Sequence, residues 1–275
     1  MKDFFLNLPV GGDARPVTDY GISLSRQFSA HITAAAICFK RLVVGSPFDG
    51  AAAAMIAGAL EEDRARAQET AAAFDAAATG ASILWDTRIV NADPETASSW
   101  FAERARHSDL VICPQSDPAI LGHGELLIET ALFSSGRPVL VVPYIQKGPA
   151  RIGRVTVCWN GSANAARAVH DALPLLKLAK DITVLSVTGE SASDEAMRDA
   201  EIANHLARHN LQVDVKVLAA VGISPADAVL SHVADSGTDL IVMGAYGHSR
   251  LREFVLGGMT RDILRSMTVP TLFSH

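Results

Sequence analysis

The run TDLIVMGAYGHSRLREFVLGGMTRDIL, residues 238–264, decides the fold. It opens as a strand: Leu240, Ile241, Val242 and Met243 are apolar without alternation, as in a strand covered on both faces. It closes as a helix over 258–267. Between them stand Gly244, Gly247, Gly257 and Gly258, spaced G-x2-G-x9-G with one further glycine. In open parallel sheets ligands bind outside the carboxyl ends of the strands. A helix start there offers unpaired N–H groups and a dipole that attract an anion. On this reading Gly244 lets the chain leave the sheet sharply, and Gly247 lets it turn or approach a ligand closely. The amides of Gly258, Met259 and Thr260 then face phosphate oxygens, with the Thr260 hydroxyl beside them. His248, Arg250 and Arg252 add charge over those phosphates. A plain strand-to-helix loop, with glycines for turning only, fits the spacing equally well. The stretch is neither a Walker A loop, since no Gly-Lys-Ser/Thr follows, nor a dinucleotide GxGxxG.

Working outward, the second half alternates regularly. Strands are predicted at 154–160, 181–189, 211–219, 238–244 and 269–275. Helices are predicted at 164–179, with Pro174 interrupting the pattern, and at 193–210, 224–237 and 258–267. Pro225 follows Ser224 as a first helical residue follows its cap. The first half repeats the order: strands at 3–9, 32–39, 82–90, 109–114 and 138–144, helices at 16–29, 50–79, 94–107 and 125–135. Two landmarks align the halves: HSDLVICP corresponds to GTDLIVMG, and SSGRPVLVVP to RSMTVPTLFS. The polar, glycine- and proline-bearing IQKGPARIG joins them. The expectation is an α/β protein of two tandem domains, residues 1–146 and 150–275. Each carries an open parallel five-stranded sheet with helices on both faces.

Composition bounds the function. The 275 residues are 49% apolar and 20% charged, which supports a real core. A net charge of −6 argues against broad binding to nucleic acid or anionic membranes. Cys38, Cys113 and Cys158 each lie in or beside an apolar run, without metal or redox spacing, and read as small buried hydrophobes. No secretory signal or membrane span is visible, so a soluble, cytoplasmic protein is expected.

The glycine stretch resembles the signature G-x2-G-x9-G-(S/T) of the ATP-binding branch of the universal stress protein family. WNGSANAARAV (159–169) is similar to that family's first strand and turn, which usually ends Asp-Gly-Ser. The resemblance covers nearly all of 154–275 and, by order of elements, most of 1–144. It implies a Rossmann-like fold of the adenine nucleotide alpha hydrolase type. It also implies that ATP or a related adenine nucleotide binds in the second half of a stress-response binding or signalling module. Cys158, Trp159 and Asn160 then end the first strand, with Asn160 in place of the aspartate that helps hold the nucleoside. Val187 meets adenine through a backbone group, and Met243 and Gly244 lie near the ribose or base. Gly247, His248, Gly257, Gly258, Met259 and Thr260 surround the phosphates. Mg²⁺ is compatible with the phosphates, although no dedicated acidic site is seen. The family also implies pairing through the last strands, VPTLFSH and PVLVVPY, as an internal pseudo-dimer, with a homodimer and a further protein partner left open.

Two departures mark the second half. Asn160 replaces the acid, and Gly258 replaces Ser or Thr, leaving the hydroxyl to Thr260. The first half departs further. It has PQSDPAILGHGELLI instead, with Pro114 where Gly244 stands and no glycine pair opening the helix. Asp117 and Glu125 put negative charge where phosphate would sit. Gly11, Gly12 and Asp13 are its remaining ligand candidates. The first half is therefore expected to be a structural partner that binds no nucleoside triphosphate.

The remaining candidates have bland readings. His205 and His209 stand four apart on one helix but lack a third ligand, so a solvated face is expected. Ser162 reads as a helix cap rather than a nucleophile, because the G-x-S-x-G frame is missing. EEDRARAQE reads as a solvated face with i,i+4 pairs. Two rival functions stay open. One is a slow ATPase or phosphotransferase, for which Thr260, Ser249 and His248 are the only local actors. The other is a structural stress protein with an empty site.

Overall fold

A computed structural model of the chain describes residues 1–40, 50–116, 123–188, 193–246 and 258–275. By its contacts the chain divides into two units. The first is Met1–Arg137 with Lys147–Ala150; the second is Pro138–Gln146 with Arg151–His275.

The first unit holds β1 (Asp3–Leu8), α1 (Arg15–Phe28), β2 (His31–Phe39), α2 (Gly50–Ala81), β3 (Leu84–Ala92), α3 (Pro94–Ala105), β4 (Leu110–Pro114) and α4 (Gly124–Ser134). Its strands run parallel in the order β3-β2-β1-β4. The chain steps one way from β1 to β3, then crosses back to β4. Right-handed crossovers therefore put α1 and α2 on one face and α3 on the other. Accordingly α1 packs on α2, and α3 on α4. The central strands are buried along almost their whole length, and the Phe5 ring lies 4.8 Å from that of Phe101. Along α2, Ala67, Ala71, Phe74 and Ala78 are buried, while Arg66 pairs with Glu62 one turn away at 3.6 Å. The EEDRARAQE stretch thus carries ion pairs on its exposed side, while Ala67, Ala71, Phe74 and Ala78 line the inward side of the helix.

The second unit opens with β5 (Val139–Val142). It continues with β6 (Arg154–Cys158), α5 (Ala163–Leu176), β7 (Asp181–Thr188), α6 (Ser193–Arg208), β8 (Asp214–Ala219), α7 (Pro225–Ser236), β9 (Leu240–Gly244), α8 (Gly258–Ser266) and β10 (Thr271–Ser274). Five strands are parallel in the order β10-β9-β6-β7-β8. β5, expected as the fifth strand of the first half, belongs by its contacts to the second unit. There it runs antiparallel to β10, with Val141 opposite Thr271 and Val139 opposite Phe273. Both strands are buried throughout, so each short apolar edge covers the other.

The internal repeat extends to single side chains. Asp109 and Asp239 occupy matching places in HSDLVICP and GTDLIVMG. Asp109 Oδ2 accepts the amides of Lys2 and Asp3; Asp239 Oδ2 accepts those of Gly153 (3.0 Å) and Arg154 (2.8 Å). Each carboxylate thereby anchors the start of its unit's first strand. Most boundaries differ from the predicted ones by one to three residues. The strand expected from Leu211 begins at Asp214, because Asn210 turns left-handed (φ 62°) to close α6 and the buried Leu211 bonds back to Leu206 O at 3.1 Å. Pro174 does not break α5, which runs on to Leu176. Among the described residues no helix is long and apolar enough to cross a membrane.

Candidate functional site

In the second unit the chain steps from β6 out to β8 and then returns to β9 on the other side of β6. The strand order therefore reverses between β6 and β9. A crevice opens at the carboxyl ends of strands at such a point. Cys158, the last residue of β6, lies in register with Met243, next to last in β9. The β6 backbone continues past its strand: Trp159 N donates to Leu185 O at 2.8 Å, and the Ser186 hydroxyl donates to Trp159 O at 3.1 Å. Trp159 is thus held against β7, on which Val187, two residues beyond Leu185, is half-buried.

The turn into α5 is made by side chains. The exposed Asn160 accepts the Ser162 amide through Oδ1 at 3.1 Å, which leaves its NH₂ as a donor. Ser162 is the N-cap of α5, its hydroxyl accepting Ala165 N at 3.2 Å, as expected of it. An aspartate at position 160 would make the same turn, so the Asn160 replacement keeps the local structure and removes only the charge.

Gly244 proves necessary for a different reason from the one spacing suggests. Its backbone is not left-handed. A Cβ there would stand 2.6 Å from Ala165 N and 2.6 Å from Asn164 C. Glycine lets the first turn of α5 lie directly on the end of β9. Gly258, the first residue of α8, is exposed, and a Cβ there would meet only Asp262 Oδ2 at 4.0 Å. Among the described residues, nothing in the fold demands glycine at 258. Thr260 is 4% exposed and its hydroxyl accepts Tyr246 N at 3.2 Å, tying the end of β9 to the first turn of α8. Met259 is half-buried beside it. Gly247, His248 and Gly257 lie outside the described residues.

The structure thus gathers Cys158, Trp159, Asn160, Met243, Gly244 and Thr260 around one strand reversal. Trp159 Nε1 is buried with no hydrogen-bond partner among the described residues. A buried indole N–H normally finds an acceptor, so this atom is a donor in want of one. Burial pushes the Cys158 thiol up to about 12, so it is protonated at neutral pH and not a nucleophile. Burial likewise raises the thiols of Cys38 and Cys113. Among the described residues no group of three His, Cys, Asp or Glu side chains is placed to hold a metal. His205, in the last turn of α6, and His209, just past its end, meet ring to ring at 4.8 Å. Sequence reasoning missed Asn164 and Tyr246. Asn164 Nδ2 donates to Ala245 O and, at 3.3 Å, to Tyr246 O, across 81 and 82 residues of chain that no local pattern spans.

The matching end of the first unit is built differently. Asp13 is held by Arg15 at 2.7 Å, and those hydrogen bonds keep its carboxyl below the usual range. The His123 ring, just before α4, stacks on Phe39 at the end of β2 with centroids 4.1 Å apart. Gly124 follows, where a Cβ would meet Ser116 Oγ at 3.3 Å. Glu125 stands in the first turn of α4. Asp117 lies outside the described residues.

The model of the universal stress protein family matches residues 151–275. Universal stress protein Slr1230 of Synechocystis is 29% identical over 154 residues, 55% of this chain and 51% of that protein. Universal stress protein MJ0577 of Methanocaldococcus jannaschii is 34% identical over 58 residues, 21% of this chain and 35% of that protein. These matches span about half of the first curated relative's length and less of the second's. A solved universal stress protein from Archaeoglobus fulgidus has a TM-score of 0.67 at 17% identity, covering 98% of this chain and 97% of that one, a likeness of fold. The second half of the chain, residues 151–275, belongs to the universal stress protein family.

Proposed function

We propose that the second unit binds ATP or a related adenine nucleotide, and that the chain is a cytoplasmic stress-response module coupling nucleotide to a protein partner. One observation carries the reading. Gly244 closes the central strand, Gly258 opens α8, and the 3.2 Å bond from Tyr246 N to the Thr260 hydroxyl joins the two ends of the signature. The first amides of α8 have no acceptor within their own helix and suit phosphate oxygens. Gly258 leaves space before them, and Trp159 Nε1 supplies a donor for the nucleoside. Gly247, His248 and Gly257 complete the phosphate side, and Mg²⁺ accompanies the phosphates rather than binding a site of its own. In the first half the His123–Phe39 stack and the Asp13–Arg15 pair support a structural role without triphosphate.

Calorimetric titration of ATP, ADP and AMP tests this, with thermal unfolding alongside. Saturation at about a hundred times Kd should raise the stability of the wild type by about 2.7 kcal/mol, because ligand binds only the folded state. Gly258→Asp, which puts a carboxylate before the helix amides, should abolish the shift. A wild type that none of the three nucleotides stabilises would contradict the proposal.

A further inference from the structure

We infer that Asn164 and Thr260 are positioning residues for the nucleotide site, acting together as a clamp on the dipeptide Ala245–Tyr246. The inference rests on the nucleotide reading above and names what holds that site in shape. Tyr246 is a non-glycine residue in the left-handed region, φ 54°. Such a residue persists only where its surroundings over-determine it. Here all four backbone polar groups of the dipeptide are engaged. Ala245 N donates to Ser274 O at 2.8 Å on β10. Ala245 O and Tyr246 O both accept from Asn164 Nδ2 on α5. Tyr246 N donates to Thr260 Oγ1 on α8. Three elements therefore converge on two residues, and the close approach of α5 over Gly244 brings Asn164 within reach.

The chemistry explains the residue types. Two carbonyls side by side need a donor with two hydrogens, which a carboxamide NH₂ supplies and a carboxylate cannot. A part-buried backbone amide is best satisfied by a protein acceptor, and the threonine hydroxyl is that acceptor. The clamp fixes where the chain leaves β9 and how the first turn of α8 stands against it. A site held this way spends less of its binding free energy on ordering. Neither side chain needs to touch the ligand for this.

The test uses the full chain and two readouts: ATP affinity by calorimetry, and hydrogen exchange at the Tyr246 amide without nucleotide. Thr260→Val keeps the shape and removes the acceptor. It should speed Tyr246 exchange and weaken ATP binding, each at least tenfold, and Thr260→Ser should restore both. Asn164→Asp, isosteric but without donors, should weaken ATP binding to a similar degree. Ser224→Ala, which removes the remote N-cap of α7, serves as the control for lowered stability and should leave affinity unchanged. The inference is overturned if Thr260→Val leaves Tyr246 exchange at the wild-type rate, or if Ser224→Ala weakens ATP binding as much as the clamp variants do. A wild type that binds no ATP overturns the nucleotide reading instead, and the exchange arm then still decides whether the clamp exists.

Discussion

At the scale of the residue, the two described signature glycines are required for different reasons. Gly244 is required by the fold, because its missing Cβ would collide with the backbone of α5. Gly258 meets no described neighbour that requires glycine; under the nucleotide proposal it keeps a Cβ away from the phosphates. Gly244→Ala should therefore cost about 1–3 kcal/mol by overpacking, read from the denaturant midpoint. Gly258→Ala should change stability by no more than about 0.5 kcal/mol, as at an ordinary surface site, yet weaken ATP binding at least tenfold. Equal effects on stability would refute the distinction. The sequence names both glycines through their spacing. It could not tell them apart, because what meets Gly244 is Asn164 and Ala165, some eighty residues earlier.

At the scale of the element, strands and helices were legible because local signals agreed. Unbroken apolar runs mark β4 and β9, Ser224-Pro225 starts α7, and Asp93 caps α3 before Pro94. The misjudged start of β8 shows the limit: LQVDV alternates like a strand, but Asn210 first closes the helix and buries Leu211. The paired strand anchors should be separable. Asp239→Ala leaves the amides of Gly153 and Arg154 without their acceptor and should cost about 1 kcal/mol, since both lie near water. Asp109 contributes at acid pH. Its burial raises its pKa, but the bonds from Lys2 and Asp3 outweigh that and hold it below the usual value. Its stabilisation is present above the unfolded pKa and is lost as pH falls through the folded one. His232 acts in a different window. It is buried on α7, with Nδ1 3.3 Å from Lys216 Nζ. Burial and the Lys216 charge lower its pKa against the pull of Asp235. Below about pH 6.5 the unfolded chain binds a proton there that the folded chain refuses, so stability falls as pH drops from 7 to 5. His232→Gln should flatten that part of the pH–stability curve; an unchanged slope would show that His232 does not set it.

At the scale of the whole molecule, duplication was legible and the divergence of its two halves only partly so. HSDLVICP and GTDLIVMG announce two related units, and Asp109 and Asp239 make the same bonds in each. The charge of Glu125 and the missing glycine pair set the expectation, tested by the nucleotide count below, that the first half binds no triphosphate. The stacking of His123 on Phe39 was not legible, because the two residues join only when β2 and α4 fold together. The central claim is a single nucleotide site per chain, in the second unit. The most direct measurement is to purify the protein without added nucleotide, saturate it with ATP, and count bound nucleotide per chain by native mass spectrometry. The account predicts one per chain, lost in Gly258→Asp. Two per chain, or one that survives Gly258→Asp, would contradict it.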